Sequence, residues 1–261
     1  MGIVDPKRIG IVFALPEERR GLERVFLDSR APVWLRGEQM RWHAGTVEVV
    51  SVVSGVGPER CSSATEELLR EGLDALVCAG FAGGLDPALA VGDVVAASTV
   101  LASSGCPGEA VPCSKGLVLA AMPPDPQSYP VRQGRLISHD HVVCKTEEKR
   151  SIHETTGAMA LDMESYAAGD ACRRRRVPFL ALRSITDTAD HELPDAVASL
   201  ASCENGFSRF VTAASQPGLW PALIRLRGHA RKAADNLGDA LGLMILRLGR
   251  RSEDSHRRTN I

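Results

Sequence analysis

Along the chain, apolar residues follow two alternating patterns. Short runs rich in β-branched residues are succeeded by longer stretches with apolar positions three and four apart, the pattern of a layered α/β fold. Arg8–Leu15 (RIGIVFAL) is a near-continuous apolar run ended by Pro16, which predicts a buried first strand. Pro16 suits the first turn of a helix, and Glu17 and Glu18 suit its positive end. Met40–Ala44 and Val47–Ser54 predict a hairpin across Gly45-Thr46, and Pro58–Arg70 predicts a helix. Further strands are expected over Leu73–Ala79, Asp93–Leu101, Arg135–Ser138, Ala158–Met163 and Phe179–Ile185. Further helices are expected over Glu147–Thr155, Ser165–Arg176 and Ala196–Ala214.

Two segments depart from this alternation. Ser103–Pro130 is rich in Pro and Gly and is expected to be an irregular excursion, of the kind that is usually functional when so long. From Leu219 to Ile261 there are nine Lys and Arg against four Asp and Glu. Within this tail, apolar residues recur at helical spacing from Leu219 through Leu226, Leu237 and Leu241 to Leu248. The expected organisation is therefore a domain over 1–216 and a basic amphipathic helix and tail over 217–261. Such a helix can lie on an anionic membrane surface. Its stripe can equally pack on the domain or on a second subunit.

Composition narrows the class. With 261 residues, 44% of them hydrophobic, one sizeable core can form without disulfides or metal. The net charge of −1 argues against nucleic acid as a partner, and no apolar run reaches the roughly 20 residues of a membrane span. No signal-peptide pattern opens the chain, so a cytoplasmic protein is expected, the tail being the one part suited to the inner face of the membrane. Seven cysteines without CxxC spacing suggest neither a disulfide framework nor a zinc ribbon. Cys61, Cys78, Cys144 and Cys172 read as buried thiols, and Cys106 and Cys113 share a loop where they can pair.

Four strand ends carry unusual chemistry, and in open α/β sheets ligands collect outside the carboxyl ends of strands. The first is Ala14-Leu-Pro-Glu-Glu18, whose acids either serve the helix dipole or supply a general base. Ser54-Gly-Val-Gly57 and Gly80-Phe-Ala-Gly-Gly84 are glycine-rich, so their backbones can approach a ligand closely. Neither completes a dinucleotide fingerprint, since Arg60 stands at the last glycine position, and neither is followed by a P-loop lysine. The fourth is the pair Leu161-Asp-Met-Glu164 and Arg183-Ser-Ile-Thr-Asp187, which sets carboxylates directly after apolar strands. Asp162 is expected to cap the next helix, whereas Glu164 and Asp187 with Arg183 are expected to be functional. His139 and His141 are spaced to share a strand face, but no third ligand is evident and no metal is expected.

Taken in order, ALPEE, SGVG, AGFAGGL, VGDVV, LDMES and LRSITDTAD resemble the nucleoside phosphorylase/nucleosidase superfamily, from about Arg8 to Phe210. The resemblance is greatest to 5′-methylthioadenosine/S-adenosylhomocysteine nucleosidases. The tail segment Trp220-Pro-Ala-Leu-Ile-Arg-Leu further resembles the hopanoid-associated phosphorylase branch, implicated in removing adenine from adenosylhopane. The resemblance implies a three-layer αβα domain with a mixed central sheet, a homo-oligomer that is at least dimeric, and cleavage of the N-glycosidic bond of an adenosyl nucleoside. It implies that Asp187 faces purine N7, Glu164 holds the ribose hydroxyls, Met163 packs beneath the sugar and Glu18 orients the attacking water. It also places Gly80 and Phe81, Val142 and Val143, and Arg183 around the substrate. No cofactor is implied, except phosphate as a co-substrate if the enzyme is a phosphorylase.

The departures from the family pattern bear on specificity. Phe81 stands where the methylthioadenosine nucleosidases have a serine, and Val142 where an aromatic stacks on the base, leaving Val143 to offer its backbone. Glu17 and Glu18 occupy the place of the phosphate-binding arginine motif of hexameric phosphorylases, which favours water, with Arg41 and Arg60 the remaining candidates to hold phosphate. The chemistry suits these residue types. Bond cleavage builds positive charge on the sugar and negative charge on the departing base, so a carboxylate stabilises the first and an acid relieves the second.

Overall fold

The computed structural model describes residues 6–27, 34–36, 39–103, 110–125, 131–193 and 220–259. In chain order the strands are β1 (Arg8–Phe13), β2 (Trp34–Arg36), β3 (Gln39–Ala44), β4 (Val47–Val53), β5 (Ala75–Gly84), β6 (Val94–Ala102), β7 (Ala110–Pro112), β8 (Val131–Ser138), β9 (Ala158–Asp162) and β10 (Phe179–Asp187). The helices are α1 (Pro16–Leu27), α2 (Pro58–Arg70), α3 (Lys115–Ala121), α4 (Thr146–Thr156), α5 (Ser165–Arg175) and α6 (Trp220–Thr259).

All ten strands form one mixed sheet in the order β10-β6-β8-β9-β5-β1-β4-β3-β2, with β7 on β6. Because β10 pairs with β5 as well as with β6, the path β5-β9-β8-β6-β10 closes on itself. β1 lies between β4 and β5, parallel to both, which explains why its apolar residues do not alternate: both faces are covered. α1, α3 and α6 pack together on one face of the sheet, and α2 and α5 on the other. This is the expected three-layer αβα arrangement.

The described elements follow the apolar pattern closely, with four corrections, the first being the short strand β2, which the pattern does not predict. The Pro/Gly-rich excursion contains strand β7 and helix α3, whose Leu117, Val118, Ala120 and Ala121 are buried. β5 does not stop at Ala79 but runs on through the glycines to Gly84, pairing with β10 and with β9. β8 starts at Val131 rather than Arg135, paired with β6 from Val94 onward. The helix expected over Ala196–Ala214 lies outside the described residues, as does Cys106. Cys61, Cys78, Cys113, Cys144 and Cys172 are buried.

α6 shows where the tail's apolar stripe goes. Ala233, Ala234, Leu237, Ala240, Leu241, Met244, Ile245 and Leu248 are buried, and α6 packs on α1, α3, β10 and β5. Small residues let the helices approach closely. A Cβ on Gly21 of α1 would collide with the Ala234 carbonyl, and one on Gly238 would collide with the Gly21 backbone. Of the two uses open to this stripe, packing on the domain is the one observed for residues 233–248. Among the described residues, no helix is long and apolar enough to cross a membrane.

Candidate active site

Four elements end at one place. The C-terminal half of β5 (Gly80–Gly84) forms its floor, the first turn of α1 brings Glu18, the β9–α5 junction brings Glu164, and β10 brings Arg183 and Asp187. The three acids are almost fully buried, at 3%, 5% and 5% exposure, although they lie far apart in sequence. Buried acids need partners, and each of these has a different set.

Glu18 is the third residue of α1, and its carboxylate turns back over the helix start. Oε2 accepts the amides of Ala14 and Leu15, both at 2.8 Å, as a capping acid does. Oε1 accepts the amide of Phe81 at 2.8 Å, which joins the helix cap to the floor of the site. Burial outweighs these hydrogen bonds and the attraction of Arg183, so the Glu18 carboxyl is held above the ordinary glutamate range. Glu18 thus caps the helix, as one reading of this segment has it, and its carboxylate lies beside Gly80 and Phe81 at the site.

Arg183 is a buried guanidinium at the centre. Nη2 lies 2.5 Å from Asp162 Oδ2 and 3.7 Å from Glu164 Oε2, and Nε donates to Ser165 Oγ at 3.0 Å. Asp162 also accepts the Ser138 hydroxyl at 2.5 Å and the Ser165 amide at 3.1 Å, so it anchors the start of α5 as expected while fixing the arginine. Gly80 allows Arg183 and Glu18 to meet. A Cβ there would lie 2.6 Å from Glu18 Oε1 and closer still to Arg183 Nη1.

Glu164 accepts the Gly57 amide at 2.9 Å, which links the SGVG turn to the site. With the nearest cation shared among several acids, burial dominates and pushes its carboxyl up to about 7. Asp187 closes the other side. Its Oδ1 accepts the Thr186 hydroxyl at 3.0 Å, and Oδ2 accepts Lys149 Nζ at 2.5 Å. Its carboxylate lies over Gly83, where a Cβ would stand 3.2 Å from Oδ2.

The remaining candidates are placed as follows. Phe81 and Met163 are half-buried, as is Val142 in the loop after β8. Val143 turns its side chain into a small apolar cluster with Leu85, Ile137, Ala158 and Leu161, so only its backbone is left to offer a ligand. That loop is tied to the end of β10 by the Leu193 amide, which donates to Cys144 O at 3.1 Å. Arg41 sits mid-strand on β3 and is engaged by Glu71 at 2.5 Å and Glu48 at 3.5 Å. Arg60 is exposed on α2, with its guanidinium against Gly55. His139 and His141 follow β8 rather than sharing its face. With Asp140 they place ligand-type atoms within 4.8 Å of one another, and His141 is engaged by Asp140 and Glu148.

The sequence reading missed Lys149. A lysine in EEKRSIHETT reads as a solvated helix residue, and nothing local marks it as the one that turns inward. The nearest signal is its spacing from Ile152, three residues on, along the inner side of α4.

Comparison with known proteins identifies the family and the fold. The family model of the Phosphorylase superfamily matches residues 8–215. A 5′-methylthioadenosine/S-adenosylhomocysteine nucleosidase of Tolumonas auensis is 30% identical over 208 residues, 72% of this chain and 89% of that protein. One from Staphylococcus epidermidis is 25% identical over 206 residues, 70% of this chain and 87% of the relative. Among solved structures, the Neisseria meningitidis nucleosidase in complex with methylthio-immucillin-A shares the fold with a TM-score of 0.68 at 20% identity, covering 92% of this chain and 99% of that one. Futalosine hydrolase of Helicobacter pylori does so with a TM-score of 0.69 at 19% identity, covering 92% and 97%. The chain belongs to the phosphorylase superfamily and is an enzyme of its nucleosidase or phosphorylase type.

Proposed function

We propose that the chain hydrolyses the N-glycosidic bond of an adenosyl nucleoside and releases adenine. The observation that carries this reading is the seat of Glu18. The amides of Ala14, Leu15 and Phe81 converge at a helix start, an arrangement that suits an anion. Here the Glu18 carboxylate takes all three. A phosphate dianion would meet a carboxylate where it needs donors, whereas a water molecule would meet an acceptor able to orient it and take its proton. This supports water over phosphate as the nucleophile.

The other residues fit the charge that develops on cleavage. As the bond between C1′ and N9 breaks, the ribose ring becomes cationic and the purine takes the electron pair. Glu164, in its ionised form, binds the ribose hydroxyls and stabilises the cationic sugar, with Met163 beneath the ring. Asp187 faces N7 and relieves the negative charge on the base. Positioned acid–base help of this sort is worth on the order of 10²–10⁴ in rate. Arg183 holds the acids in place through Asp162 and Glu164. Val142 and the Val143 backbone flank the purine, and Phe81 makes the neighbouring wall apolar. The relatives' substrates and that apolar residue favour an adenosyl compound with a thioether or a larger apolar group at the 5′ position. Adenosylhopane is one member of that class.

The test is adenine release from 5′-methylthioadenosine with and without phosphate. Equal rates and free methylthioribose as product are expected. Strict dependence on phosphate, with a sugar 1-phosphate as product, would reject water as the nucleophile. Asp187→Asn is expected to cost at least about a hundredfold in kcat with the fold intact. A variant that turns over normally would remove Asp187 from the chemistry.

A further inference from the structure

Lys149 is the one buried cation in the described site that the proposed reaction leaves unused. Its side chain has no exposed surface. Nζ donates to Asp187 Oδ2 at 2.5 Å, to Thr188 O at 3.0 Å and to His191 O at 3.1 Å. An ammonium has three donors, and all three are taken, so Lys149 has nothing left with which to bind a substrate. A buried ion pair is a poor stabiliser, because the cost of desolvating two charges offsets their attraction. One placed against the acid that faces the departing base calls for a functional reason.

Resting on the reading of Asp187 as the group that faces purine N7, we propose that Lys149 is its positioning residue, holding one carboxylate oxygen so that the other faces the leaving base. The geometry gives each oxygen a separate task. Oδ2 is pinned by Lys149, which leaves Oδ1 for the base. The Thr186 hydroxyl lies 3.0 Å from Oδ1 and 3.4 Å from Ala82 O, so it can donate to either and free Oδ1 for the base. In the cleavage step the C1′–N9 electron pair goes to the purine, N7 takes up a proton from solvent, and Oδ1 accepts the resulting N7–H while the Lys149 ammonium compensates the carboxylate's charge.

Other ionisable groups around Asp187 do not supply this charge. His191 follows β10, and its ring is 6.1 Å from that of His229 on α6, whose Nδ1 is 3.0 Å from Thr186 O. Arg183 stands four residues back on β10 and is engaged by Asp162. β5 contributes only the backbone of Gly83.

The test is kcat and KM for adenine release from 5′-methylthioadenosine by Lys149→Met, Lys149→Gln and Lys149→Arg, with melting temperatures measured alongside. Both neutral variants are expected to lose about tenfold or more in kcat near pH 7 with little change in KM. Lys149→Arg, which keeps a cation against Oδ2, is expected to retain most of the wild-type kcat. A folded neutral variant with wild-type kcat overturns the proposal. So does a folded Lys149→Arg that loses as much kcat as the neutral variants, or failure of both neutral variants to fold while Lys149→Arg folds, since either assigns Lys149 to structure. A well-folded wild type that releases no adenine fails at an earlier point: it removes the nucleosidase reading, and this inference with it.

Discussion

Glu164 Oε2 stands 3.7 Å from Arg183 Nη2, while Asp162 Oδ2 holds that same nitrogen at 2.5 Å. The arginine's charge is thus spent mainly on the residue that anchors α5, and Glu164 keeps one amide hydrogen bond and a weak share of the cation. Burial then pushes its carboxyl up to about 7. The ionised form is the one that binds ribose hydroxyls and faces a cationic sugar. Turnover is therefore expected to fall as pH drops below about 7, approaching tenfold per unit. A kcat/KM profile between pH 5 and 9 checks this, and a profile flat down to pH 5 would show that Glu164 ionisation does not control the reaction.

The same group makes a stability prediction whose sign differs from that of most carboxylates. Glu164 takes up its proton more readily in the folded chain than in the unfolded one, where its value is near 4.5. Between about pH 4.5 and 7 the folded state therefore binds more protons, and stability falls as pH rises through that window. Glu164→Gln removes the ionisation and keeps an oxygen for the Gly57 amide. It is expected to be more stable than wild type at pH 8, by about 1–3 kcal/mol, and to lose at least about a hundredfold in kcat. Urea denaturation of both proteins at pH 5 and pH 8 separates the cases. A variant equally or less stable at pH 8 would contradict the raised Glu164.

Gly80 offers a more local test. Any side chain there must push apart Glu18 and Arg183, neither of which has room to move, since Glu18 is fixed by three amides and Arg183 by Asp162 and Ser165. Gly80→Ala is expected to displace the water-orienting carboxylate and lower kcat by about a hundredfold, a cost typical of misplacing a reacting group by about 1 Å. Single-turnover adenine release measures it. An alanine variant with normal turnover would mean that Glu18 is not held where the reaction needs it.

The apolar pattern made most of this architecture legible because strands covered on both faces, such as RIGIVF, and helices with one inner face leave different periods in sequence. The acids were legible for a related reason: a carboxylate directly after an apolar strand must find a partner, and Glu164 and Asp187 both do. The Gly80–Gly84 segment was misread because glycine ordinarily marks a turn. In the fold it is strand, and the missing side chains leave room for Glu18, Arg183 and Asp187, which arrive from three other elements. Lys149 was invisible for the complementary reason. Its partner is 38 residues away, and no local pattern records which lysine of a charged helix faces inward.

The C-terminal helix is expected to be indispensable to the fold, which is a stronger statement than its amphipathic pattern supports. α6 packs closely at Gly21 on α1, the helix whose first turn carries Glu18. Five large apolar side chains, Leu237, Leu241, Met244, Ile245 and Leu248, are buried in doing so. At about 1.5–3 kcal/mol each they supply roughly as much as the whole stability of an ordinary domain. A chain ending at Gln216 is therefore expected to be aggregated or unfolded, with no cooperative melting transition. Gly238→Val probes the same contact without deleting it. Its side chain would meet the Gly21 backbone, so a loss of about 3 kcal/mol or more is expected in urea denaturation. Because Gly21 lies one turn from Glu18, kcat should fall even under conditions where the variant is fully folded. A truncated chain that melts cooperatively at the full-length temperature would show that α6 does not support the helix bearing Glu18.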